Sequence, residues 1–119
     1  MDVRHLSVEV RQEGGIAVLD LVGEINGFAE EALNTAYAEA DAKETNTILL
    51  NFEEVDYINS TGIALIVGLL AKARASHKRR LVAFGLSDHY VEIFEITRLS
   101  DFMSVFPDER SAVVEASES

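Results

Sequence analysis

The chain has 119 residues, with 10 basic and 21 acidic side chains, a formal net charge of −11 and no cysteine. That length supports one domain with its own core. Lack of cysteine excludes disulfides, thiolate catalysis and cysteine-based zinc sites, and a polyanion is poorly suited to holding nucleic acid on a basic surface.

The N-terminal MDVRHLSVEV lacks the apolar core of a signal peptide, so a cytoplasmic location is expected. Residues 6–11 alternate apolar and polar with period two, which predicts a half-buried strand. Glu13, Gly14 and Gly15 form a turn, and residues 16–22 are a second, more apolar strand, making a hairpin. Gly23 is read as the end of that strand, and GEINGF as the turn that follows. Between about residues 28 and 43 the period changes. Ala29, Ala32, Leu33, Ala36, Tyr37 and Ala40 fall on one helical face, with acidic residues mostly on the other. Residues 46–52 are a third strand, buried at its centre, and EEVDYI is read as a link.

A second helix is expected over about residues 61–77, a fourth strand over 80–84 and a third helix over 88–96, with Val91, Phe94 and Ile96 as its apolar residues. A short strand over 102–106, stopped by Pro107, and a helix over about 108–116 complete the chain, with a frayed tail. The order is ββαβαβαβα. Strand–helix–strand alternation implies parallel pairing, and the leading hairpin makes the sheet mixed. The expectation is therefore one α/β domain over residues 1–119, with its core in about 6–106.

The second helix carries the unusual features. Its longest apolar run, Ile63 to Ala73, is broken by Lys72 and is far shorter than the ~18–20 residues of a membrane span, so no membrane insertion is expected. On a helical wheel Ile63, Ile66, Val67, Leu69, Leu70 and Ala73 share one broad side, which should pack on the sheet. The opposite side carries Ala64, Gly68, Ala71, Lys72 and Ala75, with Leu65 at its shoulder. It is small and smooth rather than charged. Glycine inside a helix costs roughly 0.5–1 kcal/mol relative to alanine, so Gly68 needs a reason. Either another helix of the domain lies close over it, or a partner protein docks there.

Ahead of this helix stands Asn59-Ser60-Thr61-Gly62. Asn59 or Ser60 can cap the helix, and a helix start beyond the carboxyl end of a parallel strand also accepts an anion. Behind the helix the basic residues Lys72, Arg74, Lys78, Arg79 and Arg80 cluster. They are read as closing the helix's C-terminal end, where cations suit the dipole, with a phosphate- or acid-binding patch as the alternative.

DYINSTGIALIVGLL resembles the signature of the STAS domain in bacterial anti-sigma factor antagonists, in which an apolar strand leads through Asp-Ser-Ser/Thr-Gly into an apolar helix. LVGEIN resembles the family's Gly-Glu-Leu/Ile-Asp turn, and GLSDHYVEIFEITRL its Leu-Ser…Phe…Thr-Gly-Leu segment. The three matches come in the family's order and cover nearly the whole chain. The resemblance implies a protein that binds an anti-sigma factor with serine-kinase activity and so frees its sigma factor. The kinase would phosphorylate Ser60, a serine phosphatase would restore it, and no cofactor is implied. Asn26, Asn59, Thr61 and Gly62 would surround the phosphorylation site, and Ala64, Leu65, Gly68, Ala71 and Lys72 would meet the partner. Three positions depart from the family: Asn26 and Asn59 stand where it has Asp, and Arg98 where it has Gly.

Two other readings compete. One is an unphosphorylated STAS scaffold or accessory subunit in a stress-signalling or transporter complex. The other is an enzyme with Ser60 as nucleophile. Against that, NSTG lacks the Gly-x-Ser-x-Gly elbow, and none of His5, His77 and His89 is expected beside Ser60. No phosphate-binding Gly-x-x-x-x-Gly-Lys-Ser/Thr loop is present.

Overall fold

The computed structural model describes residues 5–42, 45–75 and 79–118. Lys43, His77 and Lys78, which figure in the expectations above, lie outside the described residues, as does Ser119. Strands β1 (Ser7–Glu13) and β2 (Ile16–Ile25) form the leading hairpin. A 3-10 turn over Gly27–Ala29 leads into α1 (Glu30–Asp41), followed by β3 (Thr47–Ile58), α2 (Ser60–Ala75), β4 (Arg80–Phe84) and α3 (Asp88–Ile96). A second 3-10 turn (Leu99–Asp101), β5 (Ser104–Phe106) and α4 (Glu109–Glu118) close the chain. The strands lie in the order β1-β2-β3-β4-β5. The β1–β2 pair is antiparallel and the other three pairs are parallel, which is the expected mixed α/β sheet.

Strand alternation divides the apolar residues between two faces. Leu19 and Leu21 of β2, Ile48 and Leu50 of β3 and Leu81 of β4 join a cluster with Leu33 and Tyr37 of α1, Ile66 and Leu69 of α2 and Phe94 of α3. The intervening residues Val18, Leu49, Val82 and Phe84 turn to the other face, where Ala112 of α4 meets them. A polar clamp ties α4 to that face. Arg11 donates to Asp20 at 2.6 Å and to Glu109 at 3.0 Å, and Asn51 donates to Asp20 at 2.8 Å. The hydrogen bond from Arg11, helped by that from Asn51, holds the Asp20 carboxyl below its usual range against the opposing effect of partial burial.

β1 runs on to Glu13, which was read as part of the turn, and two other strands run further past their expected ends. β2 passes through Gly23, at φ +116°, to Ile25, and β3 takes in EEVDYI as far as Ile58. Register shifts between Asp20 and Val22 and between Gly23 and Glu24 let the two strands stay paired to their ends, where Ile25 lies opposite Ile58. The second helix differs in one respect. Val67, assigned to the packed side, is 46% exposed, whereas Ile66, Leu69, Leu70 and Ala73 are buried. On α3, Phe94 is fully buried but Ile96 is 69% exposed.

Candidate functional site

Because Ile25 and Ile58 are partners across parallel strands, Asn26 and Asn59 leave the sheet side by side. The Asn59 N–H donates to the Ile25 carbonyl at 3.2 Å, and the helix starts at the next residue. Asn59 is the N-cap: its Oδ1 accepts from the Gly62 N–H at 2.8 Å, satisfying one of the donors left over at a helix start. Gly62 is fixed by a close approach. A Cβ there would overlap the backbone carbonyl of Ile25, so α2 can begin this near β2 only with glycine in its first turn. Asn26 caps the neighbouring turn, accepting from the Phe28 N–H at 2.9 Å, while its amide nitrogen donates to Glu24 at 3.4 Å. On the same loop Gly27 lies beside the Thr61 methyl group. The residues expected to surround the site, Asn26, Asn59, Thr61 and Gly62, are therefore gathered at one end of the sheet.

With the cap supplied by Asn59, the Ser60 side chain is not needed for it. Ser60 is exposed in the first turn of α2, where the helix dipole is positive. Beside it opens a cleft of about 370 Å³ between α2 and α3, lined by Tyr57, Ile58, Asn59, Ser60, Ile63, His89, Tyr90, Ile93 and Thr97. The Tyr90 hydroxyl accepts from the Ile58 N–H at 2.9 Å and so fixes α3 against the end of β3. His89 was not expected beside Ser60, yet it lines the same cleft, with its ring edge-on to Tyr90. No hydrogen bond joins Ser60 to His89 among the described residues.

The outward stripe of α2 is bare. Ala64, Gly68 and Ala71 are exposed, and a Cβ on Gly68 would meet nothing within 4 Å. Intramolecular packing among the described residues therefore does not account for this glycine. Leu65 is half-buried against the core. Lys72 is exposed but committed: it donates to Asn34 of α1 at 2.7 Å and lies 5.9 Å from the Tyr37 ring centre.

The basic cluster does more than close a helix. Among the described residues of the cluster, Lys72 and Arg74 belong to the last turn of α2. Arg79 pairs with Asp41 and donates to the Thr45 carbonyl, bracing the end of α1, and Arg80 reaches Glu115 of α4 at 3.5 Å. At the end of α3, Arg98 holds the left-handed conformation (φ +68°) that glycine adopts without penalty, which accounts for a glycine preference at that position. Among the described residues no helix is long and apolar enough to cross a membrane.

Comparison with known proteins agrees with this fold. The family model of the STAS domain matches residues 7–112. An anti-sigma-B factor antagonist of Listeria monocytogenes is 30% identical over 102 residues, covering 85% of this chain and 89% of the relative. One from Staphylococcus aureus is 32% identical over 101 residues, covering 85% and 93%. The fold also resembles the Bacillus cell fate determinant SpoIIAA in its phosphorylated form, with a TM-score of 0.70 and 21% identity over 92% of this chain and 99% of that one. The chain belongs to the STAS domain family.

Proposed function

We propose that this protein is an anti-sigma factor antagonist that binds a serine-kinase anti-sigma factor through α2 and the α2–α3 cleft, and that phosphorylation of Ser60 switches this binding off. The observation that carries the proposal is the position of Ser60. It is an exposed hydroxyl, relieved of capping by Asn59, at the positive end of a helix whose outward stripe is bare. Antagonists of an anti-sigma factor are also what the two relatives above are named as.

The electrostatics favour a switch of binding rather than of folding. A phosphate adds about −1.5 to −2 charges. In the first turn of α2 the dipole favours it by roughly 0.3–1 kcal/mol. Beneath a docked partner the same charge must lose its water, which costs several kcal/mol unless it is paired. Since about 1.4 kcal/mol is a factor of ten in affinity, a loss of about a hundredfold follows. The cleft would take apolar side chains of the partner between Ile63 and Ile93, and the Ala64–Gly68–Ala71 stripe would admit close backbone approach.

Incubation with the kinase and ATP, followed by intact-mass measurement, tests the covalent step. One added phosphate on the wild type and none on Ser60→Ala is the expected result. An unmodified wild type would leave a second reading, an unphosphorylated STAS scaffold. The observation favouring that reading is that Asn26 and Asn59 carry no charge where the family has Asp. Both make their capping bonds without one.

A further inference from the structure

α2 has an anomalous charge distribution. The chain carries 21 acidic residues, yet none of them is among the 16 residues of α2. Each of the other three α-helices has at least two acidic residues. The exposed surface of α2 therefore presents only small, apolar and positively charged groups on a molecule of net charge −11.

The positive charge is concentrated at the far end of the helix from Ser60. There Leu70, Arg74, Arg79, Arg80, Phe102 and Ser104 line a second cleft of about 320 Å³. Of its three guanidinium groups, that of Arg79 is matched by Asp41 and that of Arg80 by Glu115. Arg74 has no carboxylate partner among the described residues. It lies over the Phe102 ring, 5.3 Å from its centre, and Phe102 is itself 57% exposed. An arginine held against an aromatic ring keeps its N–H edge available.

The cleft thus offers one unmatched positive charge beside exposed apolar surface. That suits a single carboxylate next to an apolar side chain, as a peptide segment provides. Inorganic phosphate would meet the Arg74 charge but make no use of the exposed Phe102 surface beside it. Ile63, Val67, Leu70 and Arg74 follow one another at helical spacing along the side of α2 that joins the two clefts. From Ser60 to Arg74 the axial distance is about 21 Å, at roughly 1.5 Å per residue, which one docked domain can span.

We infer that the Arg74 cleft is a second anchor for the same partner. A carboxylate-bearing, apolar-flanked segment of the anti-sigma factor seats against Arg74 and Phe102 while another part of that protein covers Ser60. The inference rests on the proposed function, and its failure can be told apart from failure of that reading.

The test is calorimetric titration of the unphosphorylated chain with the anti-sigma factor from its own genome, at about 50 mM and about 300 mM salt. Wild type, Arg74→Ala, Arg74→Glu, Arg74→Lys and Ser60→Asp are compared, with a thermal melt of each. Arg74→Glu is expected to weaken binding about tenfold or more at low salt, Arg74→Ala less and Arg74→Lys least. The salt dependence should shrink in Arg74→Ala, with melting temperatures unchanged. If Arg74→Glu stays within about twofold of wild type while Ser60→Asp is weakened, the second anchor is wrong and the Ser60 reading stands. Weakening of Arg74→Glu by the same factor at both salt concentrations, together with a lowered melting temperature, would also overturn it. A wild type that does not bind the factor overturns both.

Discussion

A methyl group on Gly62 would occupy the space of the Ile25 carbonyl, so the first turn of α2 lies against the end of β2 backbone to backbone. The tetrad Asn59-Ser60-Thr61-Gly62 thereby divides its work. Asn59 caps the helix, Gly62 permits the close approach, and Ser60 is left exposed. Because the obstacle is backbone and not the tip of a flexible side chain, Gly62→Ala should cost about 3 kcal/mol of stability. Urea denaturation should show this as a lower midpoint with an unchanged slope. The wild-type midpoint in Gly62→Ala would mean that α2 can shift away from β2 at little cost. In the sequence the tetrad was legible as a cap. Which residue capped, and that the glycine was steric, was not legible, because both depend on the pairing of Ile25 with Ile58 across 33 residues of chain.

Elements with strong local signals were read to their ends: β4 spans Arg80–Phe84 and α3 spans Asp88–Ile96, as the sequence pattern indicates. The upper halves of β2 and β3 were not, and the reason is physical. Past Asp20 and Asn51 the outer face of these strands carries Val22, Glu24, Glu54 and Tyr57, and there Val22 and Tyr57 are exposed rather than covered as Val18 and Leu49 are by α4. With one face left to solvent and two register shifts, EEVDYI loses its period-two pattern. Similarly, His89 reaches the Ser60 cleft only because α3 is held to the end of β3 by Tyr90, a contact between residues 32 apart.

Gly68 offers the element-scale prediction. It sits in an exposed helix interior with open space around it, so Gly68→Ala should stabilise the free protein by roughly 0.5–1 kcal/mol. Gly68→Arg should leave the fold intact and abolish binding of the anti-sigma factor. A thermal melt and a pull-down on the same preparations read both. Unimpaired binding by a folded Gly68→Arg would remove this stripe from the docking surface.

For the whole molecule, the sheet acts as a frame with two differently built faces. One is sealed by α1, α2 and α3 through a large apolar cluster, and the other by α4 through a smaller one. The smaller seal is reinforced by the Arg11–Asp20–Glu109 clamp, which makes its strength depend on pH. The Asp20 carboxyl is held below its usual range in the folded state. The unfolded chain therefore binds that proton more readily. Its contribution is present in full above the unfolded value of about 3.9 and is lost as pH falls from there through the lower folded value. Asp20→Asn should accordingly be less stable than wild type near neutrality and lose less on acidification below about pH 4. Urea midpoints measured across that range check the difference, and parallel pH curves for the two proteins would contradict it.

The frame places Ser60 at one end of α2 and Arg74 at the other, on the one α-helix among the described residues that carries no acidic side chain. The central claim is that charge at Ser60 controls what docks on this helix. Its most direct test is the dissociation constant of the anti-sigma factor for the chain with phosphoserine installed at position 60, against that for the unmodified chain. The account predicts a loss of about a hundredfold or more with no drop in melting temperature. Equal affinities for the two forms would contradict it.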